Sequence, residues 1–166
     1  LVNNIQIESI LTYLEQELQA TNIRVQDCPD LAILSDTHRI VRSIENLLST
    51  RYPNLSIITT SENQNQYDTI LSHYNNNEND PRFDRDIKQL RRTKKVHFTI
   101  DTNAIKLSTI KSYKGLEAKN VVVIVEENCN PATLYTGLTR AKNNLIIINL
   151  GNQIFDPFFR RYMPNN

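Results

Sequence analysis

Lys111, Lys114, Gly115 and Glu117 stand close together in "STIKSYKGLEAKNVVVIVEE" (108–127), directly ahead of five consecutive β-branched residues. Each type suits a phosphorylated ligand. An ammonium is a point charge for phosphate, a carboxylate accepts hydrogen bonds from hydroxyls such as those of ribose, and glycine permits a turn or a close approach that a side chain would block. The ordinary alternative is a loop-to-strand turn with exposed charges. The chain has only three glycines. A second, Gly137, falls inside the helical pattern of "PATLYTGLTRAKNNLIIIN" (131–149), where it costs roughly 1 kcal/mol relative to alanine, so something is expected to approach closely there. Arg140 follows on the same helical face, with Thr136 one turn before it. An arginine beside such a notch can grip an anion bidentately; the alternative is a surface arginine in a weak ion pair.

These residues need a scaffold, and the apolar pattern predicts one. Ile7, Ile10, Leu11, Leu14 and Leu18 recur at helical steps, and Pro29 closes the linker that follows. "LAIL" (31–34) reads as a buried strand, then a helix from about Asp36 with Ile40, Ile44, Leu47 and Leu48 on its apolar face, then the strand "LSIITT" (55–60). Strand, helix, strand with short connections predicts a parallel sheet covered by helices, so the class is α/β. Further strands are predicted at 121–125 and 145–148, with a helix opening near Pro131. "VHFTID" and "AIKLSTI" read as two alternating segments, fitting a hairpin at a sheet edge. In parallel sheets ligands gather beyond the carboxyl ends of the strands, which is where the stretch after Ile110 is expected to lie.

Residues 61–95 are less regular. Two Asn/Gln-rich patches flank a short helical pattern of Tyr67, Ile70, Leu71 and Tyr74, and the segment reads as a variable, mobile excursion from a single domain spanning 1–166. Its basic run, Lys88, Arg91, Arg92, Lys94 and Lys95, is either a solvated helix end or a phosphate contact. A net charge of +1 argues against binding nucleic acid by bulk electrostatics. Cys28 and Cys129 have no metal-ligand spacing and read as two buried thiols; no metal site is expected within the chain. The absence of a secretory or transmembrane segment points to a cytoplasmic protein without membrane contact. With Leu1 first and Met163 the only methionine, the chain reads as a piece of a longer polypeptide.

"TIKSYKGLE" (109–117) resembles motif V of superfamily 1 helicases of the UvrD/Rep type, close to T-x-H-x-x-K-G-L-E-F, and "LYTGLTRAKNNL" (134–145) resembles motif VI, close to Y-V-G-x-T-R-A-x-x-x-L. Both lie in the family's order, each before a strand, and "LAILSDTHRIVRSIENLL" (31–48) looks like the segment opening the second RecA-like domain. The resemblance implies a RecA-like, P-loop-NTPase-type domain with a mostly parallel sheet and helices on both faces. By the same resemblance Glu117 would contact the nucleotide ribose, Gly115 and Gly137 would keep backbone close to the nucleotide, Lys114 would assist near the phosphates, and Arg140 would be the arginine finger on the γ-phosphate. Thr109, joined by Lys111, would contact phosphates of a single strand, DNA ahead of RNA.

The departures are specific. Lys111 replaces the motif V histidine, Ala118 replaces an aromatic, and the N-Y-R-S segment and the large helical insertion are missing. No G-x-x-x-x-G-K-[ST] occurs, so the domain lacks its own P-loop. ATP with Mg2+ would be held together with an upstream P-loop domain of the same polypeptide, leaving the isolated chain inactive. The rival expectation is a degenerate, non-catalytic helicase domain serving as a nucleic-acid-binding or protein-interaction module.

Overall fold

The computed structural model describes residues 4–20, 24–27, 30–98 and 103–162. The side chain of Ile7, with Cys28, Pro29, Met163 and the 99–101 part of "VHFTID", lies outside the described residues. Helix α1 (Asn4–Ala20) leads into β1 (Leu31–Ser35), α2 (His38–Arg51), β2 (Ile57–Thr59), α3 (Gln64–Ser72), α4 (Pro81–Val96), β3 (Ile105–Thr109), β4 (Ala118–Val125), α5 (Pro131–Leu138), β5 (Ala141–Asn149) and α6 (Asp156–Tyr162). The strands form one sheet in the order β2-β3-β1-β4-β5, every pair parallel. This is the RecA-like α/β arrangement that the sequence predicted.

Both faces of the sheet are covered, which is why its inner strands read as unbroken apolar runs. Leu31 and Ile33 of β1, with Val122 and Ile124 of β4, point to one face, where Ile10, Leu11, Leu14 and Leu18 of α1 and Ile40, Ile44 and Leu48 of α2 close the core. Ala32, Leu34, Val121, Val123 and Val125 point to the other, beneath Leu134 of α5, Phe159 of α6, and Ile110 and Tyr113 of the β3–β4 connection.

The edge hairpin is not formed. Ile105–Thr109 is an interior strand lying parallel between β1 and β2, and Val96 belongs to the last turn of α4. Lys106 and Ser108 gave the segment the alternation of a half-solvated strand, yet both are buried. The Ser108 hydroxyl bonds Thr60 Oγ1 at 2.8 Å, so burial leaves it satisfied.

Residues 61–95 fold mainly as α3 and α4. Asn63 and Gln66 close a reciprocal capping box at the start of α3, and Asp80 with Pro81 starts α4. Phe83 packs edge-on against Tyr67 and Tyr74, with ring centroids 5.4 and 6.3 Å apart. An ionic network ties this lobe to the sheet. The Glu62 side chain is fully buried and accepts from Arg91 Nε at 2.6 Å, from Arg91 Nη2 at 2.8 Å, and from Arg42 Nη1 of α2. The Arg42 guanidinium also lies over the Tyr67 ring, 3.9 Å from its centroid. His38 Nδ1 stands 2.7 Å from Ser61 Oγ.

That network makes stability depend on pH. Burial, with the Arg91 and Arg42 charges and against Glu62, pulls His38 from 6.5 down to about 4. The unfolded chain therefore takes up this proton first, and stability falls as pH drops from 6.5 toward 4. Burial alone would raise the Glu62 carboxyl, but the Arg91 hydrogen bond and the two arginine charges outweigh it and hold the carboxyl low. Its contribution is lost only at more acid pH, below the ordinary carboxylate range. Urea midpoints across this range should decline in both windows. His38→Asn should flatten the upper window and Glu62→Gln the lower, each read as a difference from wild type, which cancels the opposing contribution of the half-buried Glu45, whose carboxyl is raised.

Candidate nucleotide and nucleic-acid site

The connection from β3 to β4 carries most of the candidate residues. After Thr109 the chain turns tightly: Thr109 Oγ1 accepts from Ser112 N at 3.2 Å, Thr109 O from Tyr113 N at 3.0 Å, and Tyr113 O from Leu116 N at 3.0 Å. Tyr113 is 0% exposed and meets Phe98 edge-on at 6.1 Å, pinning the turn to the sheet. Its hydroxyl, without a hydrogen-bond partner among the described residues, is pushed up to about 12 by burial and by the Asp30 charge, with Arg140 opposing. Gly115 has φ +90° and nothing within 4 Å of where a Cβ would stand, so the glycine meets a backbone demand rather than a shortage of space. Lys111, Lys114 and Glu117 are exposed.

Helix α5 starts with Asn130 Oδ1 accepting from Thr133 N at 2.9 Å and with Pro131 in its first turn. Gly137 is buried on the sheet side of this helix. A Cβ there would lie 3.2 Å from Ile110 Cδ1 and 3.4 Å from Val123 Cγ1. The close approach expected from the sequence is therefore that of α5 to the core, which accounts for Gly137 without a nucleotide. Arg140 lies just beyond the helix end, not on its face. Its Nε donates to Thr136 O at 2.9 Å, Nη2 to Thr139 Oγ1 at 2.9 Å, and Nη1 to Leu116 O at 3.4 Å. The guanidinium thus bridges the two motif segments.

The candidates divide between opposite ends of the sheet. Ala118 pairs with Ala141 at the amino ends of β4 and β5, and Ala118 N donates to Arg140 O at 3.1 Å, so Glu117 and Arg140 precede neighbouring strands side by side. Lys142 joins them, its Nζ 3.1 Å from Glu117 Oε2. Thr109 and Lys111 stand at the carboxyl end of β3 instead. The expectation that the whole stretch lies beyond the carboxyl ends holds only for its first residues, because the connection must run back to the start of β4. Thr109 is buried with its hydroxyl committed to the turn, so Lys111 is the accessible cation of that pair.

At the carboxyl end the structure adds Glu126, the residue after β4, which accepts from Ser35 Oγ at 3.1 Å, Thr37 N at 3.1 Å and Arg39 Nη2 at 3.4 Å. A carboxylate directly after a buried apolar run was the available signal. Asn152, fully buried, donates through Nδ2 to Glu126 O, Glu127 O and Cys129 O at 3.0, 2.9 and 3.2 Å, holding that loop against the end of β5. The buried Cys129 thiol is pushed up to about 11, chiefly by burial. A cavity of about 390 Å³ lies between α2 and the α3–α4 lobe, lined in part by His38, Arg39, Arg42 and Arg91. Among the described residues no group of three His, Cys, Asp or Glu could hold a metal ion, and no helix is long and apolar enough to cross a membrane.

The role of Gly137 can be tested directly. Removing a helical glycine gains about 1 kcal/mol, whereas forcing a methyl into a close-packed core costs about 1–3 kcal/mol. Gly137→Ala should therefore lower stability in urea by up to about 2 kcal/mol. In an Ile110→Val background, which lacks the methyl at 3.2 Å, the same change should become neutral or stabilising. A stabilising Gly137→Ala in the native background would release the glycine from packing.

Residues 105–148, from β3 to β5, match the family model of the UvrD-like helicase C-terminal domain. No curated protein matches the chain. Among solved structures, the C-terminal part of the Fun30 ATPase domain is similar at 14% identity and a TM-score of 0.42, covering 86% of this chain and 40% of that one. The chain thus spans about two fifths of that structure's length. Motifs V and VI both fall inside the matched residues, and over β3 to β5 this chain is similar to the C-terminal domain of UvrD-like helicases.

Proposed function

We propose that this chain is the second RecA-like domain of an ATP-dependent superfamily 1 helicase or translocase acting on single-stranded nucleic acid, DNA ahead of RNA, in the cytoplasm. The observation that carries the reading is the adjacency of Glu117 and Arg140. Two residues 23 positions apart, each matched to a different family motif, meet at the amino ends of paired strands. ATP with Mg2+ would sit between this end and an upstream P-loop domain of the same polypeptide, with Glu117 toward the ribose, Lys114 near the phosphates and Arg140 reaching the γ-phosphate. The bound nucleotide and metal supply the phosphoryl chemistry. This chain supplies a cation for the developing charge and closes the cleft. Thr109 shapes the turn that presents Lys111 to a strand phosphate. All of residues 1–166 form one such domain.

Magnitudes allow Arg140 this role despite its present partners. Three hydrogen bonds at about 1 kcal/mol net each oppose its release. A finger worth about 10³–10⁵ in rate supplies about 4–7 kcal/mol in the transition state, so the exchange is favourable.

The test is steady-state ATPase activity of the whole protein with saturating single strand. Arg140→Ala should cut turnover by about two to five orders of magnitude. Because Arg140 also bridges Leu116 and Thr136, the melting temperature should fall by a few degrees, in keeping with about 1–3 kcal/mol of forfeited hydrogen bonding, without unfolding the domain. Unchanged turnover would remove Arg140 from the active site and favour the non-catalytic module. The chain by itself should hydrolyse no ATP.

Lys111 gives a second test. Lys111→Ala should weaken single-strand binding and flatten its log-log salt dependence by about 0.7, the share of one neutralised phosphate. Unchanged affinity and slope would mean that the lysine is merely solvated.

A further inference from the structure

The helix α4 concentrates charge that the rest of the molecule does not share. Seven of its sixteen residues are Lys or Arg against two Asp, a net of +5 in a chain whose total is +1. Part of this is used internally: Arg91 pairs with Glu62, and the half-buried Lys94 lies in the field of Glu45 and Glu62. What remains is ordered. Arg85, Lys88, Arg92 and Lys95 are exposed and follow one another at steps of three, four and three, so they form a single stripe along the helix, about 15 Å long. The opposite side, Phe83 and Ile87, is buried in the lobe, and the Arg42–Glu62–Arg91 network anchors that lobe to α2. The stripe is therefore held on a packed element. Arg92 and Lys95 make no ion pair among the described residues. Lys88 and Arg85 pair with Asp84 and Asp86 at 2.7 and 3.0 Å, but these are exposed contacts that contribute little and exchange readily for another anion.

We propose that this face of α4 binds the phosphate backbone of double-stranded nucleic acid, as a second contact beside the single strand; the single-strand part of this rests on the function proposed above. A duplex strand presents one phosphate about every 3.4 Å of axis, so a straight stripe of this length faces several phosphates at once. Single-strand sites add aromatic platforms for bases, and the stripe carries none. A lipid surface would demand an apolar face free to insert, whereas that face of α4 is already packed. Recognition through lysine and arginine alone is independent of sequence and strongly dependent on salt.

The experiment compares the whole protein, wild type and variants, on two probes: a hairpin duplex with a single-stranded tail, and the tail alone, by fluorescence anisotropy at several salt concentrations. The variants are the pair Arg92→Gln/Lys95→Gln and the quadruple change that adds Arg85→Gln and Lys88→Gln. The quadruple variant should bind the tailed duplex at least tenfold more weakly, with the log-log slope flattened by about 0.9 for each phosphate no longer neutralised, and the pair should show about half that flattening. Affinity for the tail alone and tail-stimulated ATP turnover should not change. An equal weakening on both probes would place the stripe on the single strand, and no weakening on either would leave it solvated or reserved for an acidic protein; each overturns the proposal. All four residues are exposed, so melting temperatures should match wild type, and the pair keeps the test open if the quadruple variant melts early. A wild-type protein that bound the tailed duplex but not the tail, and hydrolysed no ATP, would sink the function proposed above while leaving the duplex contact standing.

Discussion

The rest of the structure depends on how little chain joins β3 to β4. The two strands are parallel and flank β1, so the connection must cross over one strand and return from the carboxyl to the amino end of the sheet. Such crossovers ordinarily take a dozen residues or more and include a helix. Here only residues 110–117 are available. The return covers about 20 Å of strand direction, while eight residues reach at most about 29 Å when fully extended. No helix fits within that length. The chain instead folds one turn at Thr109–Tyr113, sinks Tyr113 into the core, and uses the positive φ of Gly115 to redirect itself toward β4.

The shortness of that connection also explains why one stretch of sequence reaches both ends of the sheet. Lys111 and Glu117 are six residues apart, yet they lie at opposite ends of the sheet's strands, and the backbone between them is held by the buried Tyr113 ring. The segment between them is short and tied by hydrogen bonds rather than a slack loop. Arg140 extends the same linkage, because its guanidinium contacts Leu116 O while its own carbonyl receives Ala118 N. Close packing of α5 at Gly137 against Ile110, the residue that begins the connection, closes the circuit through the core.

Much of this is legible in the amino-acid sequence. The runs 31–34 and 121–125 have to be strands covered on both faces, since no solvated strand is apolar at every position, and the helical faces of α1 and α2 follow from spacing alone. The adjacency of Glu117 and Arg140 is suggested only by the family resemblance, because nothing local to either residue names the other. Three expectations fail or fall short, two of them because they assign polar residues to solvent. Lys106 and Ser108 make an interior strand look like an edge. The buried Glu62 and Arg42, with the half-buried Arg91, form an ionic cluster that no periodicity of apolar residues could announce, so 61–95 looks like an excursion where two helices pack. Gly137 looks as if it faces a ligand because sequence shows that a side chain is missing, not what takes its place.

The Arg42–Glu62 pair has a consequence for how this domain tolerates insertions and deletions. The α3–α4 lobe leaves the sheet after β2, an edge strand of three residues, and rejoins it before β3, a pattern that resembles a removable insert. Yet its excision would strand Arg42, a charge built into α2 and 9% exposed, with neither Glu62 to neutralise it nor Tyr67 to shelter it. An uncompensated buried charge costs about 3–5 kcal/mol, a large part of what holds a domain of this size together. The lobe and Arg42 therefore depend on each other: a shortened or exchanged lobe calls for a change at a residue on a helix some twenty positions upstream, and chimeras cut at the lobe's visible boundaries would carry a latent defect in the part left behind.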